Sequence, residues 1–411
     1  MQKYQIFFPR VLPAMLIGLS LYVTESYASN ETQCVAPGEW KNSALKTIAP
    51  EKVIKNLARQ QVVLLGEDHE NAEHHRWQLQ TIAKLHALQP DLALGFEAFP
   101  RDTQSILDQW VAGKLTEKQL LEQTDWQGNW SYDANFYLPM FHFARMHRIP
   151  MIALNVNRSL VSRVSKRGWD NIPAAEREGI SEPATASQEY IDSLVDVFAQ
   201  HMPGNAASPH GATEADSAAH ALPDTAGIAE SPMFKHFLQG QLLWDRAMAE
   251  AIQSRNKTPL IIGIVGAGHI MGGYGIPHQL KSLGTSKIST AMPWDDELDC
   301  EQLQSNIVDL AFGVDSVSNE KTDNRPKLGI YLQPAEKGVG VKKIIPGSVA
   351  EKLGMQTDDT IVEIAGRPAT AVGDIISAVQ STGWGTWLPL VILRKNKRME
   401  LVAKFPPRAD N

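Results

Sequence analysis

Val62-Val63-Leu64-Leu65-Gly66-Glu67-Asp68-His69-Glu70-Asn71-Ala72-Glu73-His74-His75-Arg76 is the stretch that decides the fold. Four apolar residues too short for a helix read as a strand buried on both faces. A glycine ends the run, and carboxylates, histidines and an arginine follow at once. From Asn71 the pattern turns helical, with His75, Leu79, Ile82 and His86 on one face. Three further runs repeat the apolar part, Leu92–Phe96, Met151–Val156 and Leu260–Val265, and amphipathic stretches separate them. Apolar strands alternating with helices predict an α/β domain over residues 35–300, a mostly parallel sheet flanked by helices.

In such sheets ligands and reactants gather beyond the carboxyl ends of the strands. The first run ends at Glu67 and His69, the second at Glu97, the third at Asn155, Asn157 and Arg158, and the fourth runs into Gly266-Ala267-Gly268-His269. Glu67, His69, Glu97 and His269 are therefore expected to converge. Glu97 lies between Phe96 and Phe99, so its carboxylate must be paired or shifted in pKa. Asp68 or Glu70 either caps the helix starting near Asn71 or shares in the chemistry of the strand end, and His75 and His86, on its apolar stripe, read as core or boundary histidines. The glycines of 263–275 do not fit a dinucleotide fingerprint, because they follow the last strand with no further βαβ unit.

The chain has 411 residues, 43% hydrophobic and 21% charged, a globular composition. With 39 Lys and Arg against 46 Asp and Glu it carries −7, which gives nucleic acid no support as a partner. Residues 1–28 read as a secretory signal: Lys3 and Arg10, thirteen uncharged positions from Val11 to Val23, then Ser26-Tyr27-Ala28. The expected location is exported, periplasmic, with membrane association as a further possibility, and the processed chain carries −8. In an oxidising compartment Cys34 and Cys300, the only cysteines, are plausible disulfide partners. Residues 202–232, rich in Ala, Ser, Gly and Pro, read as a flexible insertion, residues 301–325 as a linker, and 326–408 as a small β-rich second domain.

Leu65-Gly66-Glu67-Asp68-His69 with His74-His75, then Gly95-Phe96-Glu97, then Gly266-Ala267-Gly268-His269 leading to Tyr274-Gly275-Ile276-Pro277, is similar to the ChaN family of haem-binding uptake proteins. That family belongs with the Tiki and TraB proteins and the erythromycin esterases. The resemblance implies haem as ligand and haem or iron uptake as the role. No Cys-x-x-Cys-His is present, so the haem is expected to be b-type and non-covalent. Tyr274, in the glycine-rich loop, is the leading axial ligand. His269, His69, His75 and Met271 are further candidates, with Tyr132 and Tyr137 as rival tyrosines. Cofacial haems in the family imply a homodimer formed on haem binding. The wider group also implies an alternative, a hydrolase of ester or peptide bonds. Glu67, His69, Glu97 and His269 would activate water and Arg76 would stabilise an oxyanion, or His69, Glu97 and His269 would hold a divalent metal. No Gly-x-Ser-x-Gly elbow supports serine chemistry.

Lys327-Leu328-Gly329-Ile330-Tyr331-Leu332, followed by Pro346-Gly347-Ser348 and by Asp358-Asp359 before the strand that ends at Gly366, resembles a bacterial PDZ domain. The resemblance implies that Leu328, Gly329 and Ile330 receive the C-terminus of a protein or peptide partner, added as a strand, with a helix near Asp374–Gln380 as the other wall of the groove.

Overall fold

Val62–Glu67 is a strand with every residue buried, and its side chains alternate between two cores. Val63 and Leu65 pack with Phe96, Ile262, Trp77 and Phe141, whereas Val62 and Leu64 pack with Ile261, Leu154, Met248 and Ile252. This two-sided burial is why the run is apolar throughout rather than alternating. The computed structural model describes residues 34–201, 227–295, 298, 300–315, 326–370, 372–380 and 382–407. The expected signal segment and most of the 202–232 insertion lie outside the described residues.

The first sheet has eight strands: β1 (Trp40–Asn42), β2 (Thr47–Ile48), β3 (Val62–Glu67), β4 (Leu92–Pro100), β5 (Met151–Asn155), β6 (Leu260–Gly266), β7 (Ile288–Trp294) and β8 (Leu310–Gly313). Their order is β2-β1-β8-β7-β3-β6-β4-β5. The six strands β3 to β8 run parallel, and β1 and β2 add an antiparallel edge. Central β6 lies between β3 and β4, with Glu67 opposite Gly266 and Phe96 opposite Ile264. Three chain segments therefore end side by side at one rim. Two expectations need correction. The sheet continues past residue 300, because β8 pairs with β7 and β1 inside the stretch expected as linker. The helix Ala72–Leu88 is capped by neither Asp68 nor Glu70: Asn71 accepts the Glu73 N–H at 3.0 Å, while Asp68 accepts the Glu70 N–H in the turn before it. Cys34 and Cys300 form a disulfide across 266 positions of sequence.

The C-terminal region has its own antiparallel sheet of six strands and its own core, which includes Leu328, Val339, Val341, Ile361, Ile392 and Phe405. Strand Ile330–Ala335 lies at one edge and Lys397–Lys404 at the other. A helix, Val372–Gln380, sits beside the first edge, and Leu328, Gly329, Ile330, Ile375 and Val379 line a groove of about 240 Å³ between them. Gly329 has φ +77°, and a β-carbon there would lie 2.3 Å from the Ser348 side chain, so the turn before the edge strand requires glycine.

Histidines and carboxylates at the strand ends

The rim carries two carboxylate-gripped imidazoles. His69 follows β3 and donates from Nδ1 to Glu67 Oε1 at 2.8 Å. Glu67 is buried at the end of the strand and also accepts from the Tyr137 hydroxyl and, at 2.9 Å, from Gln78 Nε2. The His69 ring packs against Trp130 and Tyr132, with centroids 4.7 and 4.9 Å away, and its side chain keeps 23% exposure. Burial opposes its charge, but the Glu67 hydrogen bond and the charges of Glu97 and Glu67 outweigh that, so its pKa is raised.

His269 follows β6 and is enclosed. Its Nδ1 meets Asp245 Oδ1 at 2.7 Å and its Nε2 lies 3.4 Å from Glu97 Oε1. Burial again opposes the charge, and two carboxylates overcome it: Glu97 by its charge, Asp245 by hydrogen bond and charge, pushing His269 up to about 10. Burial would likewise push Glu97 up, yet His269 reverses the sign and holds its carboxyl below the usual range. Asp245 also accepts from the Tyr190 hydroxyl at 2.7 Å, and burial first, then the charge and hydrogen bond of Asp245, raise that phenol. Gly266 joins the two pairs. Its N–H donates to Glu97 Oε2 at 2.7 Å, and a β-carbon there would sit 2.9 Å from His69 Cε1. The expected convergence of Glu67, His69, Glu97 and His269 is what the structure shows.

Beside this cluster a cavity of about 200 Å³ is lined by Glu67, Asp68, His74, Met271 and Trp294 among others. His74 Nδ1 accepts the Asp68 N–H at 2.9 Å, and burial lowers its pKa to about 4, so at neutral pH its proton resides on Nε2.

The family model for haem-binding uptake proteins of the Tiki superfamily, ChaN, matches residues 53–280. The chain belongs to the ChaN family. A model for the PDZ domain matches residues 340–384. The solved structure described as cofacial heme binding to ChaN of Campylobacter jejuni has a TM-score of 0.50 at 16% identity, covering 66% of this chain and 95% of that one. At that identity it establishes a shared fold. The putative serine protease HhoA of Synechocystis sp. is 27% identical over 89 residues, 22% of this chain, and the chain spans only 23% of that relative. The serine endoprotease from Yersinia pestis is 26% identical over 21% of this chain and 30% of its own, at a TM-score of 0.19.

Within this ChaN fold the remaining candidates separate. His75 is fully enclosed: Nε2 contacts the His69 carbonyl at 3.1 Å and its ring lies parallel to Phe136 at 5.3 Å. It positions the His69 turn and presents no face to a ligand. Arg76 is corrected as an oxyanion group, because its side chain is 68% exposed and pairs with Glu73. The divalent-metal set is corrected too. Among the described residues no group of three or more His, Cys, Asp or Glu is placed to hold a metal ion, and both nitrogens of His269 already face carboxylates. Met271 lines the 200 Å³ cavity. Tyr274 is half-buried, its ring 6.1 Å from that of Tyr190. Sequence reasoning missed Asp245, Tyr190 and Gln78, which hold the rim from helices Pro232–Gln253, Gln188–His201 and Ala72–Leu88.

Proposed function

We propose that this chain binds haem b non-covalently at the carboxyl-end rim, outside the cytoplasm, as cargo for haem or iron uptake, and that its PDZ domain holds the C-terminus of a protein or peptide partner. Beyond family membership, the observation that carries the reading is how the possible iron ligands are committed. Both cysteines are bonded to each other, which leaves none for thioether attachment or thiolate ligation. His269 has both nitrogens on carboxylates and His75 is enclosed. Tyr137 donates to Glu67, and Tyr132 is raised by burial and then by the charges of Glu70 and Glu97, which disfavours a phenolate. His69 keeps one open side, but Glu67 and Glu97 draw its imidazole toward the protonated form, which has no lone pair to give, and this leaves Tyr274 as the leading ligand, with a hydroxyl that makes no hydrogen bond among the described residues.

The residues present fit a partly exposed porphyrin. A cavity of about 200 Å³ is below the ~300 Å³ at which pockets begin to enclose a drug-sized ligand, so the bound group lies across the rim and stays exchangeable. When bound, haem would supply an iron able to accept an oxygen or nitrogen donor. In this chain Tyr274 offers the oxygen, His69 and Met271 flank the rim, and Glu67 and Asp245 keep the two imidazoles protonated and oriented. A homodimer around the cargo is part of the proposal.

Titration of haem into the purified chain is expected to give saturable binding with a high-spin tyrosinate spectrum that Tyr274→Phe abolishes. Binding that is absent, or indifferent to Tyr274, overturns the assignment. One observation favours a second reading, hydrolysis: the His69 ring, held by Glu67, has its edge over Gly266 beside Glu97, an oriented acid and base pair. Ester or peptide turnover that is lost in Glu67→Gln and indifferent to chelator would establish it.

A further inference from the structure

The PDZ domain has a second face that the peptide groove does not use. Over residues 326–411 Lys and Arg number 12 against 8 Asp and Glu, a net of +4, while the rest of the chain carries −11. Part of that positive charge surrounds an open hollow of about 530 Å³ whose walls include Lys327, Lys352, Lys404, Trp384, Trp387 and Phe405, with no carboxylate among the lining residues. The hollow shares only Lys327 with the peptide groove.

Strand register explains why apolar groups stand outward here. In the hairpin of Trp387–Arg394 and Lys397–Lys404, Trp387 is opposite Lys404 and Pro389 opposite Val402. Alternate residues share a face, so Trp387, Pro389, Val402 and Lys404 form one outward patch while Leu388, Leu390 and Ala403 fill the core. Trp387 is 68% exposed, with the Lys404 ammonium 5.1 Å from its ring centroid, and Trp384 is 36% exposed. Burying such rings would have been favourable for folding, so their exposure marks a surface built for contact.

We propose that this face docks the PDZ domain on an anionic phospholipid surface, the indole rings entering the headgroup layer and the lysines pairing with lipid phosphates. Two features favour a membrane over a soluble acidic partner. Amphipathic indoles partition to the headgroup level, and a hollow lined by lysines and no acidic residue is complementary to anionic lipid. This reading is independent of haem, so either can fail alone.

The experiment is co-sedimentation of the chain beginning at Ser29, which removes the N-terminal apolar segment as a source of binding. Vesicles of phosphatidylcholine alone are compared with vesicles holding about 30 mol % phosphatidylglycerol, where Lys352 and Lys404 at roughly fivefold each predict about 25-fold tighter binding, weakened by salt. Lys352→Glu and Lys404→Glu should each lower affinity at least fivefold. Trp387→Ala, at an exposed position where folding is not at risk, should lower it about tenfold and reduce quenching by brominated lipid. Inorganic phosphate at equal charge should not compete. Equal binding to both vesicles, no binding, competition by inorganic phosphate, or unchanged binding in Trp387→Ala overturns the proposal.

Discussion

His69 and His269 end neighbouring strands of one sheet, and each is held through Nδ1 by a carboxylate, yet their second nitrogens differ. His269 faces Glu97 there and is enclosed, whereas His69 keeps exposure and an aromatic wall of Trp130 and Tyr132. The first is a buried imidazole held at both nitrogens by carboxylates that favour its charged form, a structural strut. The second is a similarly oriented ring with a side left for a ligand. Position at the rim therefore does not assign a role; the commitment of the second nitrogen does. Asp245→Asn tests the strut and carries the largest expected effect. It leaves a buried imidazolium short of one charge partner, and loss of one side of a buried pair costs about 3–5 kcal/mol. Glu67→Gln at the more open pair should cost less, about 1–3 kcal/mol, through the weakened Tyr137 and His69 contacts. Urea unfolding of both variants measures the difference, and equal losses would erase the distinction.

Titration sharpens the same contrast. His269 has a folded-state pKa raised to about 10 from an ordinary 6.5, so its contribution to stability is full below pH 6.5 and is lost as pH rises through about 10. His74 has the opposite sign. Its folded pKa is lowered to about 4 by burial, so its neutral ring costs nothing above pH 6.5 and it destabilises the fold as pH falls from there toward 4, by about 3 kcal/mol at the limit. NMR of the histidine Cε1 protons should find His269 still protonated at pH 9 and His74 neutral at pH 6. In Asp245→Asn the His269 transition should move to lower pH. Gly266→Ala probes the point where the pairs meet. A methyl 2.9 Å from His69 Cε1 must displace the ring, with about 1–3 kcal/mol of overpacking and loss of any ligand affinity that depends on His69. Retained affinity would place the ligand elsewhere on the rim.

The sequence made the four rim residues legible because strand ends announce themselves. An apolar run that stops at a glycine and an acid tells where the chain leaves the sheet, and parallel topology then brings distant ends together. Glu67, His69, Glu97 and His269 were found that way. Asp245 was not, since it sits inside an amphipathic helix where a polar residue normally faces water. Its signal was slight: an acid directly after Leu242-Leu243-Trp244, in a stretch where Ala247, Met248 and Ala249 are buried too. Tyr190 and Gln78 were hidden likewise, as ordinary helix residues. The strands β7 and β8 escaped because Ser289, Thr290 and Pro293 interrupt the first and the second has four residues. The PDZ groove was readable from its glycines, but the lysine and tryptophan face was not, because it exists only when the register of the hairpin puts Trp387 beside Lys404.

The smallest expected effect is at Arg76, and it bears on the comparison because it lies outside both pairs while sharing their sequence motif. Proximity in sequence to His69 suggested an oxyanion role, but helical geometry turns positions 75 and 76 about 100° apart, and with His75 enclosed Arg76 points to solvent. Its ion pair with Glu73 spans three residues on an exposed helix face, where such pairs contribute less than about 0.5 kcal/mol. Arg76→Ala should therefore leave haem affinity and spectrum unchanged and shift the unfolding midpoint barely beyond error. A loss of ligand affinity comparable to that of a rim substitution would mean that the first turn of helix Ala72–Leu88 reorganises on binding, and the division between strut and open ring would then have to be drawn in the bound state instead.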